Sequence, residues 1–223
     1  MERPAAIIFD FDGVLIDSEY VGNRLLAEQL AGLGHDVTID DALDHFVGLS
    51  GQPFLDAIEA RIGAALPPDF VEQRRAESRR LVESGIAAVA GAVEFVRSLP
   101  GGLPTALASS SSTKWMRAHL RHLGLEANFG DHLYSGHEHV ECGKPAPDLY
   151  IYAASQLGVP IERCAIIEDS RLGATGALAS GATVIGLCAG SHCRPGHAEM
   201  LHNAGVIHVA GSFGEVSALL GFA

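Results

Sequence analysis

The run Ala5-Ala6-Ile7-Ile8-Phe9 ends on Asp10, and Phe11, Asp12 and Gly13 follow directly. Five apolar residues in succession predict a strand buried on both faces of a parallel sheet. A buried strand that delivers carboxylates to its end is costly unless their charge is balanced. Alternate residues of extended chain point the same way, so Asp10 and Asp12 can face one divalent cation. Gly13 permits a sharp turn or a close backbone approach to a ligand. A solvated strand-to-loop turn would explain the acids but not the apolar run that feeds them. The stretch therefore predicts a cation-dependent chemical site at the edge of a parallel sheet.

Beyond Asp17 the apolar period changes from strand to helix. Ser18 is placed to cap a helix carrying Val21, Leu25, Leu26, Leu30 and Leu33, which Gly34 stops. Thr38 with Asp41 reads as a capping box for a second helix through Phe46. Residues 48–51 read as a hinge-like loop. Pro53 suits the first turn of a third helix bearing Phe54, Ile58 and Ile62, and a fourth starts near Asp69. Residues 18–84 thus contain no strand candidate and are expected to form an all-helical cap. Residues 1–17 and 85–223 are expected to form the core domain. Hinges are expected at the crossings near Asp17-Ser18 and Ser84-Gly85-Ile86.

From Gly85 onward strands alternate with helices. Strands are expected at Leu103 to Ala108, Leu133-Tyr134, Cys164 to Ile167, Thr183 to Leu187 and, weakly, Val206 to Val209. Helices are expected at Ala92 to Leu99, Thr113 to Leu123, Asp148 to Leu157, Arg171 to Ser180 and Glu215 to Leu220. Such alternation predicts an α/β fold, a Rossmann-like parallel sheet with helices on both faces. Ligands of such sheets sit outside the carboxyl ends of the strands. There the first strand delivers Asp10 and Asp12, the second Ser109, and Cys164 to Ile167 delivers Glu168 and Asp169.

Acids, hydroxyls and Lys144 at one edge suit metal-assisted phosphoryl transfer. Asp10 can attack phosphorus and form an aspartyl-phosphate. Asp10, Asp12 through its backbone carbonyl, and Asp169, with Glu168 beside them, form the expected Mg2+ set. The ion would screen nucleophile from phosphate. Lys144 and Ser109 would contact the equatorial oxygens. Asp12 can protonate the leaving oxygen and later deprotonate water.

In order along the chain, Asp10-Phe11-Asp12-Gly13-Val14-Leu15, Ser109, Lys144-Pro145-Ala146-Pro147-Asp148 and Glu168-Asp169-Ser170 resemble the haloacid dehalogenase superfamily. The helical insertion resembles its small-cap subgroup, the beta-phosphoglucomutase-like and phosphosugar phosphatase branch. The resemblance implies a Rossmann-like core, Mg2+ and an aspartyl-phosphate intermediate. Mutases of that branch carry a cap histidine near the position of Gly22 and an arginine near 48–51; neither is present. Asp12 separates the chain from true dehalogenases, which lack that acid. Hydrolysis of a small phosphorylated metabolite, a sugar or sugar-acid phosphate, is the expected activity. A hexose-phosphate mutase and a catalytically silent binding module are the alternatives.

Composition narrows the partners. The 223 residues are 48% hydrophobic and 19% charged, which suits a globular chain, and a net charge of −12 argues against nucleic acid or anionic membrane. The first strand begins too early for a signal peptide, and no apolar run reaches the about 20 residues of a membrane helix. Four cysteines are expected to be reduced thiols in a cytoplasmic protein. No spare apolar stripe is evident, so a monomer is expected.

Other segments have a plainer reading beside a functional one. Arg74, Arg75, Arg79 and Arg80 suit a solvated helix face, or one of them reaches the acidic end of a substrate. His137-Glu138-His139 reads as loop chemistry. Cys188, His192, Cys193 and His197 are zinc-ligand types, but their spacing matches no recurring zinc site, and Gly190 and Pro195 mark a surface loop. Trp115 reads as packing or domain-edge surface, and Ser110 or Ser111 as a helix cap.

Overall fold

The computed structural model describes residues 3–47, 49 and 51–222. Gly48 and Ser50, within the expected hinge-like loop and the position of the missing mutase arginine, lie outside them. The elements run β1 (Ala6–Phe9), α1 (Ser18–Gly32), α2 (Ile39–Phe46), α3 (Gly51–Ile62), α4 (Phe70–Ser84) and α5 (Ala92–Ser98). Next come β2 (Thr105–Ser109), α6 (Thr113–Leu123), α7 (Glu126–Phe129), β3 (Leu133–Ser135) and α8 (Asp148–Leu157). β4 (Cys164–Glu168), α9 (Arg171–Ser180), β5 (Thr183–Leu187), α10 (His197–Asn203), β6 (His208–Ala210) and α11 (Phe213–Leu220) complete the chain.

The strands form one six-stranded parallel sheet in the order β3-β2-β1-β4-β5-β6. β1 is central, with Ile7 opposite Thr105 on one side and Ala165 on the other. Its apolar run follows from that place, because both edges are paired and both faces covered. Ile7 and Phe9 join a core with Phe95, Met116 and Val216. Ala6 and Ile8 face Tyr150, Ala153, Ala174 and Ala177 on the other side. This is a doubly wound, Rossmann-like α/β fold, and the chain reverses its winding between β1 and β4. Ligands bind at such a switch point, beyond the carboxyl ends of the strands.

Helices α1–α4 bury Leu26, Leu30, Phe46, Ile58 and Phe70 in a separate cluster. The capping box is present: Asp41 N donates to Thr38 Oγ1 and Thr38 N to Asp41 Oδ2, each at 3.0 Å. Ser18 does not cap α1. Asp17 holds the N-cap position without a side-chain hydrogen bond, and the Ser18 hydroxyl goes elsewhere. β2 begins at Thr105 rather than Leu103, since Leu103 N closes a turn onto Pro100 O at 3.1 Å and Pro104 has no N–H to offer. β2 also extends through Ser109. Two short helices, α7 and α10, were not expected; each is too brief to show a helical period. No helix among the described residues is long and apolar enough to cross a membrane.

Candidate active site

The carboxyl edge of the sheet collects side chains from separate strands. Asp10 and Asp12 follow β1, Ser109 ends β2, Lys144 lies beyond β3, and Glu168 and Asp169 end β4. Lys144 Nζ is 2.5 Å from Asp10 Oδ1 and 2.6 Å from Glu168 Oε1, and all three side chains are nearly excluded from water. The Tyr150 hydroxyl donates to Glu168 Oε1 at 2.9 Å, and its ring lies 5.1 Å from the ammonium.

Charge and burial compete here. Burial pushes the Asp10 carboxyl well above its ordinary range; Lys144 opposes this, while Glu168, Asp169 and Asp12 add to it. Burial likewise raises Asp169, with Glu168 the next cause. Burial disfavours the Lys144 ammonium, but Asp10 and Glu168 outweigh it and hold the proton firmly. For Glu168, burial is the largest single influence and acts upward. The charge and hydrogen bond of Lys144, with Ser170 N and Tyr150, reverse it and keep the carboxylate ionised.

Asp12 sits in a different setting. Ser18 Oγ donates to its Oδ1 at 2.7 Å and Trp115 Nε1 to the same oxygen at 3.1 Å. Ser109 Oγ at 3.1 Å and Ser111 Oγ at 2.7 Å donate to Oδ2. Ser111 therefore does not cap α6. Ser112 does, accepting from Trp115 N at 3.2 Å. That cap puts Trp115 in the first turn of α6, facing the acid. Trp115 also packs against the core, as expected, so its indole N–H is a role added to packing.

Both oxygens of Asp169 are buried with no hydrogen-bond partner among the described residues; His192 Nε2 lies 2.8 Å from Oδ2 without the alignment of a hydrogen bond. Orphaned carboxylate oxygens in a buried site fit a cation. Asp10, Glu168 and Asp169 each bring one oxygen within 4.8 Å of the others. Glu168, expected among the ligands, is the poorest fit. Its oxygens already accept from Lys144, Tyr150, Asp169 N, Ser170 N and Ser170 Oγ. The Asp12 carboxylate is not among the oxygens gathered there, and four donors hold it.

Two glycines shape this edge. A Cβ on Gly13, whose φ is +83°, would lie 2.0 Å from Asp169 Oδ2. A Cβ on Gly173 would fall 1.6 Å from Glu168 Oε1.

Above the acids is a cavity of about 570 Å3 between the sheet edge and α1–α4. Of the four cap arginines only Arg74 lines it. Its guanidinium pairs with Glu77 and donates to Gly22 O at 3.3 Å. Arg75 and Arg79 pair with Glu72 on the outer face, and Arg80 is exposed. Gly22 lines the cavity with no atom within 4 Å of a built Cβ. Glu19 was missed by the sequence reading. It lines the cavity, and desolvation, with Asp169 and Asp12 next, pushes its carboxyl up to about 8. Glu138 instead accepts from Thr113 N and Oγ1, tying its loop to α6.

The family model for haloacid dehalogenase-like hydrolases matches residues 4–181. The 6-phosphogluconate phosphatase of Escherichia coli is 29% identical over 196 residues, covering 87% of each chain. A fructose-1-phosphate phosphatase of the same organism is 31% identical over 185 residues, covering 81% of this chain and 94% of that one. Among solved structures, a HAD family hydrolase from Deinococcus radiodurans R1 with bound phosphate and sodium superposes with a TM-score of 0.85. It is 34% identical, with 99% of this chain and 96% of that one covered. The parallel sheet, the acids at its switch point and these matches together show that the chain belongs to the haloacid dehalogenase-like hydrolases.

Proposed function

We propose that the protein is a Mg2+-dependent phosphatase that hydrolyses a small phosphorylated sugar or sugar acid through an aspartyl-phosphate on Asp10. The observation that carries this reading is the different treatment of two acids two residues apart. Asp10 is packed against a lysine with no hydroxyl donor among the described residues, as suits a nucleophile. Asp12 is held by three hydroxyls and one indole N–H, as suits a proton carrier.

Asp10 and Asp169, with the backbone carbonyl of Asp12, would hold Mg2+. The bound ion would supply charge screening between nucleophile and phosphate. Asp10 attacks phosphorus, the bond to the ester oxygen breaks, and Asp12 gives that oxygen its proton. Asp12 then takes a proton from water, which attacks the aspartyl-phosphate. The bond from phosphorus to Asp10 breaks and inorganic phosphate leaves. Both partners of Asp12 Oδ2 are hydroxyls, which can turn and accept, whereas Trp115 can only donate to Oδ1. The travelling proton therefore belongs on Oδ2. Lys144 holds Asp10 in place and faces the incoming phosphoryl oxygens, and Glu168 fixes Lys144 rather than the metal.

Residues 18–84 are assigned as a cap domain over the core formed by 1–17 and 85–223. Arg74 supplies a cation on the cap side of the cavity, opposite the acids, where the far end of a sugar acid would lie. The relatives named for 6-phosphogluconate and fructose 1-phosphate support that substrate class. Gly22 stands where the mutases carry a histidine, which favours hydrolysis; the ionisable carboxyl that the cap does bring to the cavity is Glu19.

The test is phosphate release from a panel of sugar, sugar-acid and polyol phosphates, with Mg2+ and with chelator. Release lost with chelator and in Asp10→Asn is expected. Migration of phosphate within a substrate, without release, would replace the reading by a mutase. Silence on both counts would leave a binding module.

A further inference from the structure

We propose that His192, Cys193 and His197 form a second cation site suited to zinc, beside the carboxylate site but built from different ligands. In sequence these residues lie on a loop with no recurring zinc spacing. The fold nevertheless gathers them. The chain turns at Gly190, where Cys193 N bonds Gly190 O at 2.9 Å, and again at Arg194, where His197 N bonds Arg194 O at 2.9 Å. One ligand atom each from His192, Cys193 and His197 then lies within 4.8 Å of the other two.

Cys193 Sγ is 3.5 Å from His192 Nε2. In a tetrahedral zinc site with Zn–N of about 2.0 Å and Zn–S of about 2.3 Å, a nitrogen and a sulfur ligand are about 3.5 Å apart. That pair already has the required spacing. The two imidazoles have centroids 5.3 Å apart and cross at 81°, so rotation about side-chain bonds can bring them onto one ion. Two imidazoles and a thiol are ligand types that suit zinc, and the sulfur discriminates against Mg2+. All four cysteines are free thiols. A separate cavity of about 360 Å3, lined by His192 and His197, gives an ion a way in.

The test measures metal content of the full chain under reducing conditions, after exposure to Zn2+ and removal of free ion in excess Mg2+. One retained zinc per chain is expected. Co2+ in place of Zn2+ is expected to give thiolate-to-cobalt charge-transfer absorption in the unsubstituted protein, a readout that depends on no variant. Cys193→Ser and His197→Ala are each expected to lose the retained metal while keeping Mg2+-dependent phosphate release. No retained zinc, retention undiminished in the Cys193→Ser, His197→Ala double variant, or bound cobalt without thiolate charge transfer would each overturn the proposal.

Discussion

Trp115 Nε1 donates to Asp12 Oδ1 at 3.1 Å, and the indole packs edge-on against buried His119 with centroids 4.3 Å apart. The single tryptophan of the chain is thereby a rigid N–H aimed at Asp12, the proposed proton carrier. It cannot reverse as a hydroxyl can, so it holds Oδ1 as an acceptor through the cycle. Replacing it with Phe removes one hydrogen bond to a carboxylate, a difference of about 1.5 kcal/mol or roughly tenfold in rate. Trp115→Phe is expected to lower kcat about tenfold with little change in KM. Steady-state phosphate release decides it, and a KM effect with unchanged kcat would refute the assignment.

Lys144 is the one cation in contact with Asp10 and Glu168 among the described residues. Lys144→Met leaves two buried carboxylates without a countercharge, a change that costs about 3–5 kcal/mol when a buried pair is broken. Denaturant unfolding of the metal-free variant should show a loss of that order, smaller at pH 5 than at pH 8 because Asp10 can take up a proton. Activity should fall below detection. A variant as stable as the parent at pH 8 would show that the cluster is not the buried ion pair described.

Glu19 predicts a pH dependence of stability. Its folded-state pKa is raised, from an ordinary 4.5 to about 8. Below about 4.5 both folded and unfolded chains hold the proton, and the contribution is fully present. Between 4.5 and 8 the unfolded chain releases it first, so stability falls as pH rises. In chelator, melting temperature should decline over that window, and Glu19→Gln should flatten part of the decline. Parallel curves for the two proteins would refute it.

How much of this could be read from the chain depended on distance. Ala5–Phe9 identifies the central strand because one pattern spans one element, and Thr38 with Asp41 identifies a cap because both partners lie in one turn. The gathering of acids at one edge follows from the topology, since each terminates its own strand. Ser18 misled because a hydroxyl before a helix looks like a cap, and its true partner, Asp12, is reached only through the turn at Gly13. Trp115, Glu19 and Arg74 depend on how α6, α1 and α4 dock over the sheet, which no local spacing encodes. Glu168 reads as a ligand from its place beside Asp169, and one of its oxygens does lie within 4.8 Å of oxygens of Asp10 and Asp169. Its backbone and Tyr150 donors become visible only in three dimensions.

Arg74 and Arg80 make a paired test of the cap, one lining the cavity and one exposed. A charged hydrogen bond contributes about 1.5–3 kcal/mol, or roughly 10- to 150-fold. Arg74→Ala should raise KM for a sugar-acid phosphate by that factor and for a neutral sugar phosphate by much less. Arg80→Ala should change neither. Equal effects on both substrates would mean that Arg74 supports the cap rather than reading the substrate.

Gly13 and Gly173 carry no functional group, yet each occupies the only space that its acid leaves. A methyl group at either position would have to share volume with a carboxylate oxygen, 2.0 Å from Asp169 in one case and 1.6 Å from Glu168 in the other. The active site is thus a casting whose mould is hydrogen. Its geometry is as vulnerable to gaining a carbon at two silent positions as to losing a charge at a vocal one. A survey of tolerated substitutions would find these glycines as immutable as the acids, for reasons of volume at both and of a positive φ at Gly13.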